Sequence, residues 1–315
     1  MIFNQISEKE WDSFVEKTEY TIFHTSKWLR TLDERTEFWV LKNSNNVELA
    51  GIAFLRKRRY GLKIITHPVL SPYGGILINK KIFVDSSKTK AHSNVKKIIL
   101  EVLNNLKAKA NVIVMELPKN YNDFHPFIWE GFDIKVHHSY ILKKDKEDVL
   151  WKNMDSKRRN DIKRAIRDGI SISVDSDKET LKKMVLKTFS RQNMQYSISN
   201  IDKVFEATDN VKTFTAYKGD LPVAAACIVW DKKSAYYILG GYDPDNRHSG
   251  AQALALWKAI LFTFNELNLE FFDFEGSTVP NIERFFRDFG GDLVTVHRAI
   301  FFSSKFLKFL SEFKK

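Results

Sequence analysis

The chain runs through one order of elements twice, and a repeat restricts the folds open to a sequence more than its composition does. In the first half, Glu37–Leu41 alternates as a strand, a polar turn follows at Asn43–Asn46, and Glu48–Arg56 returns as a second strand. In the second half, Lys212–Tyr217, the turn Lys218–Asp220 and Pro222–Trp230 do the same. Each hairpin is followed by a further strand, Leu62–Ile65 or Ala235–Leu239. An amphipathic helix comes next, Asn94–Lys107 or Gln252–Asn265, with apolar residues at three- and four-residue spacing.

The closing modules match most closely. Val112–Glu116 is an apolar strand, Asp123–Trp129 a short helical turn, and Lys135–Leu142 a final strand after Gly131-Phe132. The second copy runs Phe271–Glu275, Asn281–Asp288, Phe289-Gly290-Gly291 and Leu293–Phe302. A Gly beside a Phe closes the helix in each, as a C-cap glycine with its hydrophobic contact does. The expected class is α/β (α+β): two tandem domains, 1–145 and 146–315, each a mixed twisted sheet flanked by helices. The length of 315 residues exceeds what one core usually serves.

Charge narrows the partners. With 50 Lys and Arg against 39 Asp and Glu, the net charge is +11, which concentrates anionic ligands such as nucleic acid, phospholipid headgroups or CoA. The single Cys227 excludes a disulfide framework and reads as a buried small hydrophobe. The histidines, among them His24, His67, His125, His137, His138, His248 and His297, lack a His-x-x-x-His spacing, so no metal site is expected. Neither a signal peptide nor an apolar run of spanning length is legible, and the expected location is cytoplasmic.

Four constellations carry chemistry. Trp151–Asp168 reads as one basic helix on which Arg158 shares the apolar face of Trp151, Met154, Ile162 and Ala165. A guanidinium there needs an anion, either a protein carboxylate in a domain-interface salt bridge or a ligand phosphate. Arg159 and Lys163 flank it. The loop Gly240–Gly250, with Tyr242, Arg247, His248, Ser249 and Gly250, enters a helix whose free N–H groups suit a pyrophosphate, although an ordinary helix cap looks the same in sequence. Strand alternation puts Asp273 and Glu275 on one face, where a carboxylate can take the proton of an attacking amine, unless it pairs with Arg158 or Arg284. Finally, Lys305–Lys315 sets Phe306, Leu307, Phe309, Leu310 and Phe313 against lysines. Such a helix either packs on the second domain, the favoured reading, or lies on an anionic membrane surface.

The repeated order resembles the GNAT acyltransferase fold, and two copies in one chain resemble the Fem family of aminoacyltransferases and Fem-like acetyltransferases. Phe23-His24-Thr25-Ser26-Lys27-Trp28, Ser71-Pro72-Tyr73-Gly74-Gly75, Lys157–Ala165 and Phe272–Ser277 with Phe289-Gly290-Gly291 carry the likeness. The long helical arm of some Fem proteins is missing, and Gln252 stands at the last small position of the GNAT phosphate loop. The resemblance implies N-acyl transfer from acyl-CoA or aminoacyl-tRNA to an amine-bearing acceptor, such as a cell-wall or polysaccharide precursor. It implies no tightly bound cofactor and no DNA partner. In this reading Arg158, Arg159, Lys163, Arg247, Ser249 and Gly250 hold the donor, and Asp273 and Glu275 act on protons. Tyr73, Tyr242, Ser277 and Arg284 line an acceptor groove between the domains. The alternative is a catalytically silent module that binds RNA or a membrane surface, for which salt-sensitive binding without turnover is expected.

Overall fold

A computed structural model of the protein describes residues 1–84, 87–119, 121–191 and 197–312. The chain forms two compact units, 1–137 with 295–315, and 138–294. The sequence reading cuts the chain once, between 145 and 146; contacts cut it twice.

The elements are, in order, β1 (Ile2–Ile6), α1 (Glu8–Val15), α2 (Ser26–Leu32), β2 (Glu37–Lys42), β3 (Glu48–Arg59), β4 (Leu62–Thr66), β5 (Leu77–Ile78), α3 (Lys81–Val84), α4 (Lys88–Lys107), β6 (Val112–Glu116), α5 (His125–Trp129) and β7 (Asp133–Lys143). They continue with α6 (Glu147–Asn153), α7 (Ser156–Arg167), β8 (Ile170–Asp175), α8 (Lys178–Arg191), α9 (Ser199–Ala207), β9 (Val211–Lys218), β10 (Leu221–Trp230), β11 (Ser234–Tyr242), α10 (Ala251–Asn265), β12 (Phe271–Asp273), α11 (Pro280–Arg287), β13 (Asp292–Phe302) and α12 (Lys305–Glu312).

The first unit carries the strand order β1-β2-β3-β4-β6-β13, antiparallel except for the parallel pair β4–β6. The second carries β8-β9-β10-β11-β12-β7, antiparallel except for the parallel pair β11–β12. The expected class is therefore present twice, a mixed sheet flanked by helices. The closing strands, however, are exchanged. Arg298–Phe302 of β13 pairs with β6 in the first unit, and Ile141–Lys143 of β7 pairs with β12 in the second. Each half of the sequence thus completes the other half's sheet.

Two cores follow from the periodicity. In the first unit, Ile98, Ile99, Val102, Leu103 and Leu106 of α4 face Ile52, Phe54, Ile113 and Met115 of the sheet. In the second, α10 is Ala- and Leu-rich on every side because it is buried almost throughout; Leu254, Leu256, Trp257, Ile260 and Phe264 meet Phe214, Ala226, Ile228 and Phe272.

Two local expectations need correction. The helix read over Trp151–Asp168 is two helices, because Met154 is extended (ψ 144°) and Asp155 caps α7 by accepting the Lys157 N–H. The C-terminal helix groups with the first unit, not the second, and leaves Phe306 67% and Phe309 55% exposed; Phe313 lies outside the described residues.

Candidate active site in the second unit

The parallel pair β11–β12 defines the site. The two strands pair only over Ser234↔Phe271, Ala235↔Phe272 and Tyr236↔Asp273. Beyond that point β11 continues to Tyr242, while β12 has ended and the chain turns through Glu275 (φ 56°) and Gly276 (φ 70°). On its other edge β11 loses one rung with β10. Ile228 pairs with Tyr237 and Cys227 with Leu239, so Ile238 is the extra residue of a bulge. Bulges re-aim a strand and take a peptide group out of its ladder. Open crevices beyond the carboxyl ends of parallel strands are where α/β sheets bind ligands.

Aromatic side chains shape the space. Tyr237 meets Phe286 edge-on at 5.7 Å, and Phe274 lies 5.5 Å from Phe286. Gln252 turns inward from the first turn of α10, donating to the Ala225 carbonyl at 3.2 Å and the Tyr237 hydroxyl at 3.1 Å. The Tyr140 hydroxyl donates to Glu283 at 2.6 Å, and Arg287 stands 3.4 Å from the same carboxylate. Burial and the Glu283 bond raise the Tyr140 pKa. Tyr140, Tyr237 and Glu283 were missed in sequence, since a strand tyrosine and a helix glutamate have no distinguishing spacing.

The loop from β11 into α10 is tied to α7 at three places. Arg164 donates to the Ser249 hydroxyl at 2.9 Å. His248 Nδ1 accepts the Gly250 N–H at 3.2 Å, which leaves its Nε2 to donate to Asp168 at 3.1 Å. At Gly250 itself a Cβ would collide with the Asp161 carbonyl, so only glycine lets the helix start this close to α7. Inside the loop, buried Asp243 accepts Lys187 at 2.6 Å and Asn246 at 3.1 Å, and the Lys187 bond brings its pKa down to about 2. Arg247 is exposed with its guanidinium 5.8 Å from the Tyr242 ring. Lys163 is exposed on α7.

Other expected site residues have structural duties. Arg158 is buried, with Asp161 and Asp288 both at 3.2 Å and the Phe285 ring 4.2 Å away. Both terminal nitrogens of its fork meet protein carboxylates of the same unit. Burial lowers its pKa, and the two aspartates oppose that. Arg159 caps α6 through the carbonyls of Met154 and Lys152. Asp273 and Glu275 do not share a strand face. Asp273 is fully buried and accepts the Ser139 hydroxyl at 2.6 Å and the Glu275 N–H at 2.8 Å, so it shapes the turn that presents Glu275. Ser277 accepts the Val279 N–H at 3.1 Å at the start of α11, and Arg284 is exposed on that helix. Tyr73 belongs to the first unit and is 1% exposed there, with its ring 4.4 Å from the Lys119 ammonium. Among the described residues no group of side chains is arranged to hold a metal ion.

Residues 156–287, which contain the splayed pair, the bulge and the loop, match the family described as Acetyltransferase (GNAT) domain. The match lies wholly within the second unit. The fold of the whole chain is that of a solved structure of FemX, at 14% identity and TM-score 0.67, covering 94% of this chain and 97% of that one. It is also similar to L-PGS from Bacillus licheniformis (11% identity, TM-score 0.60, 99% and 96% covered). A tandem GNAT protein from the clavulanic acid biosynthesis pathway matches at 11% identity and TM-score 0.51, with 96% and 98% covered. No curated protein sequence matches the chain. No helix among the described residues is long and apolar enough to cross a membrane.

Proposed function

We propose that the GNAT domain transfers an acyl or aminoacyl group to a primary amine, with the donor lying between β11 and β12. The observation that carries this is the end of parallel pairing at Tyr236/Asp273 beside the bulge at Ile238. The donor carbonyl sits in the splay, and backbone N–H groups at the Ile238 bulge stabilise the oxyanion. The donor phosphates meet the α10 N-terminus with Arg164 and Arg247 beside it. The amine attacks the carbonyl carbon, a C–N bond forms as the C–S or C–O bond breaks, and the thiolate or alkoxide leaves as thiol or hydroxyl by taking up the proton that the amine gives up. Glu275, half-buried at the turn, accepts the amine proton, and Asp273 positions it. The fold shared with FemX and with a protein titled L-PGS supports including aminoacyl donors beside CoA esters.

The test is a donor panel of acetyl-CoA, longer acyl-CoAs and aminoacyl-tRNAs, read by thermal midpoint and by acylation of amine acceptors. Binding to the folded state raises the midpoint by mass action. A shift and product with one donor class are expected, and both should weaken in Arg247→Ala. Silence across all donors and acceptors would overturn the assignment.

A further inference from the structure

Charge is divided very unevenly between the units. The first holds 26 of the 50 Lys and Arg against 16 of the 39 Asp and Glu, so +10 of the net +11 lies there. Part of it is concentrated on the β3–β4 hairpin, Arg56-Lys57-Arg58-Arg59-Tyr60-Gly61-Leu62-Lys63. Arg56 is bound by Glu37 at 2.6 Å. Lys57, Arg58, Arg59 and Lys63 are exposed, and register sets Arg58 directly opposite Lys63. Like charges facing across a ladder destabilise it. The turn is Tyr60-Gly61, both at positive φ (51° and 76°), a conformation glycine takes freely and tyrosine rarely. Tyr60 is 80% exposed at the tip. The hairpin therefore carries local costs, and at its tip the Arg59 guanidinium lies 5.3 Å over the Tyr60 ring.

The second feature is α12. Phe306, Phe309 and Leu310 form one stripe at helical spacing and are 67%, 55% and 45% exposed. Lys308 lies roughly opposite Phe306 at about 100° per residue, and it bonds Asp133 at 2.7 Å. That contact lies roughly opposite Phe306, and the stripe itself is exposed.

Asn111 joins the two features. Its side chain accepts the Lys63 N–H at 3.0 Å and its own N–H donates to the Lys63 carbonyl at 2.8 Å. Its carbonyl accepts the Ser303 N–H at 2.8 Å, just before α12. The hairpin tip and the root of α12 thus share one end of the strand order β4-β6-β13, about two strand spacings or roughly 10 Å apart. It is the end at which the parallel strands β4 and β6 begin.

We infer that this end of the first unit docks on an anionic phospholipid surface. Phe306, Phe309 and Leu310 enter the headgroup–acyl boundary, and Lys57, Arg58, Arg59 and Lys63 meet the lipid phosphates. An aliphatic and aromatic stripe beside a cationic hairpin fits a bilayer interface better than it fits RNA, where bases need stacking platforms on the basic surface.

The full chain is sedimented with vesicles of phosphatidylcholine, alone or with one-third phosphatidylglycerol, at low and high salt. Binding only to the anionic vesicles, and weaker at high salt, is expected. Phe306→Ser with Phe309→Ser, and separately Arg58→Gln with Arg59→Gln, should each lower partitioning by about tenfold or more. Their thermal midpoints should not fall, since these side chains are exposed and removing Arg58 relieves its repulsion with Lys63. No partitioning to anionic vesicles, or partitioning that both double variants retain, overturns the inference. So does salt-sensitive binding to tRNA without binding to vesicles.

Discussion

Arg158 sits on an apolar helix face in sequence and in space, and it meets Asp161 and Asp288 there. Replacing it with Ala leaves two half-buried carboxylates uncompensated, which costs about 3–5 kcal/mol. Arg158→Ala should therefore lower the denaturation midpoint and impair donor binding only through stability, whereas Arg247→Ala should do the reverse. Chemical denaturation alongside donor titration separates the two. Sequence could state that Arg158 needed an anion, but not which one, because Asp288 lies 130 positions away. His67 offers a pH test in the first unit. Burial, with Arg298 nearby, lowers its pKa from the ordinary 6.5 to about 4. Between those values the unfolded chain takes up a proton that the folded chain refuses, so stability falls as pH drops from 6.5 towards 4, by up to about 3 kcal/mol. Glu116, 4.0 Å away and raised by burial, acts in the opposite direction. Comparing His67→Gln with the parent isolates the histidine: the variant should lose less stability between pH 7 and 4. Equal acid sensitivity of the two would refute this reading.

The hairpins and the helices α4 and α10 were legible because turn residues and three- and four-residue spacings are local. The break between α6 and α7 also had a local sign, the capping Asp155. What local pattern could not show was partner choice. β7 and β13 alternate alike and follow similar Phe-Gly turns, so either one fits beside β6 or β12, and pairing is decided far along the chain. The pairing of Asp273 and Glu275 on one face failed for a related reason: the strand ended two residues early, at a left-handed Glu275. At this scale Gly250→Ala should unseat the first turn of α10 from α7. A lower thermal midpoint and weaker donor binding together are expected; donor binding at parent strength would mean that the close approach is not what shapes the loop. Glu275→Gln tests the proton acceptor: kcat should fall about 10²–10⁴-fold with binding retained if it acts as a general base.

For the whole molecule, the exchange of closing strands means that residues 1–145 do not amount to the first unit. A fragment of that range lacks Arg298–Phe302 and leaves one edge of β6 without its native partner. Its thermal midpoint should lie below that of the full chain and should rise when a peptide spanning 292–315 is added. A fragment as stable as the full chain, and indifferent to the peptide, would show that β7 can take the place of β13.

The same exchange sets a schedule during synthesis. The strand that finishes the first unit's sheet leaves the ribosome only after all of residues 138–294 have been made. At ordinary elongation rates that is a wait of roughly 8 to 30 seconds. Throughout it, the apolar strand Val112–Glu116 holds an open edge on a unit that is otherwise ready to collapse. β7, already made and carrying the same alternation, is the nearest competitor for that edge. Correct assembly thus depends on the first unit not closing before its last strand arrives.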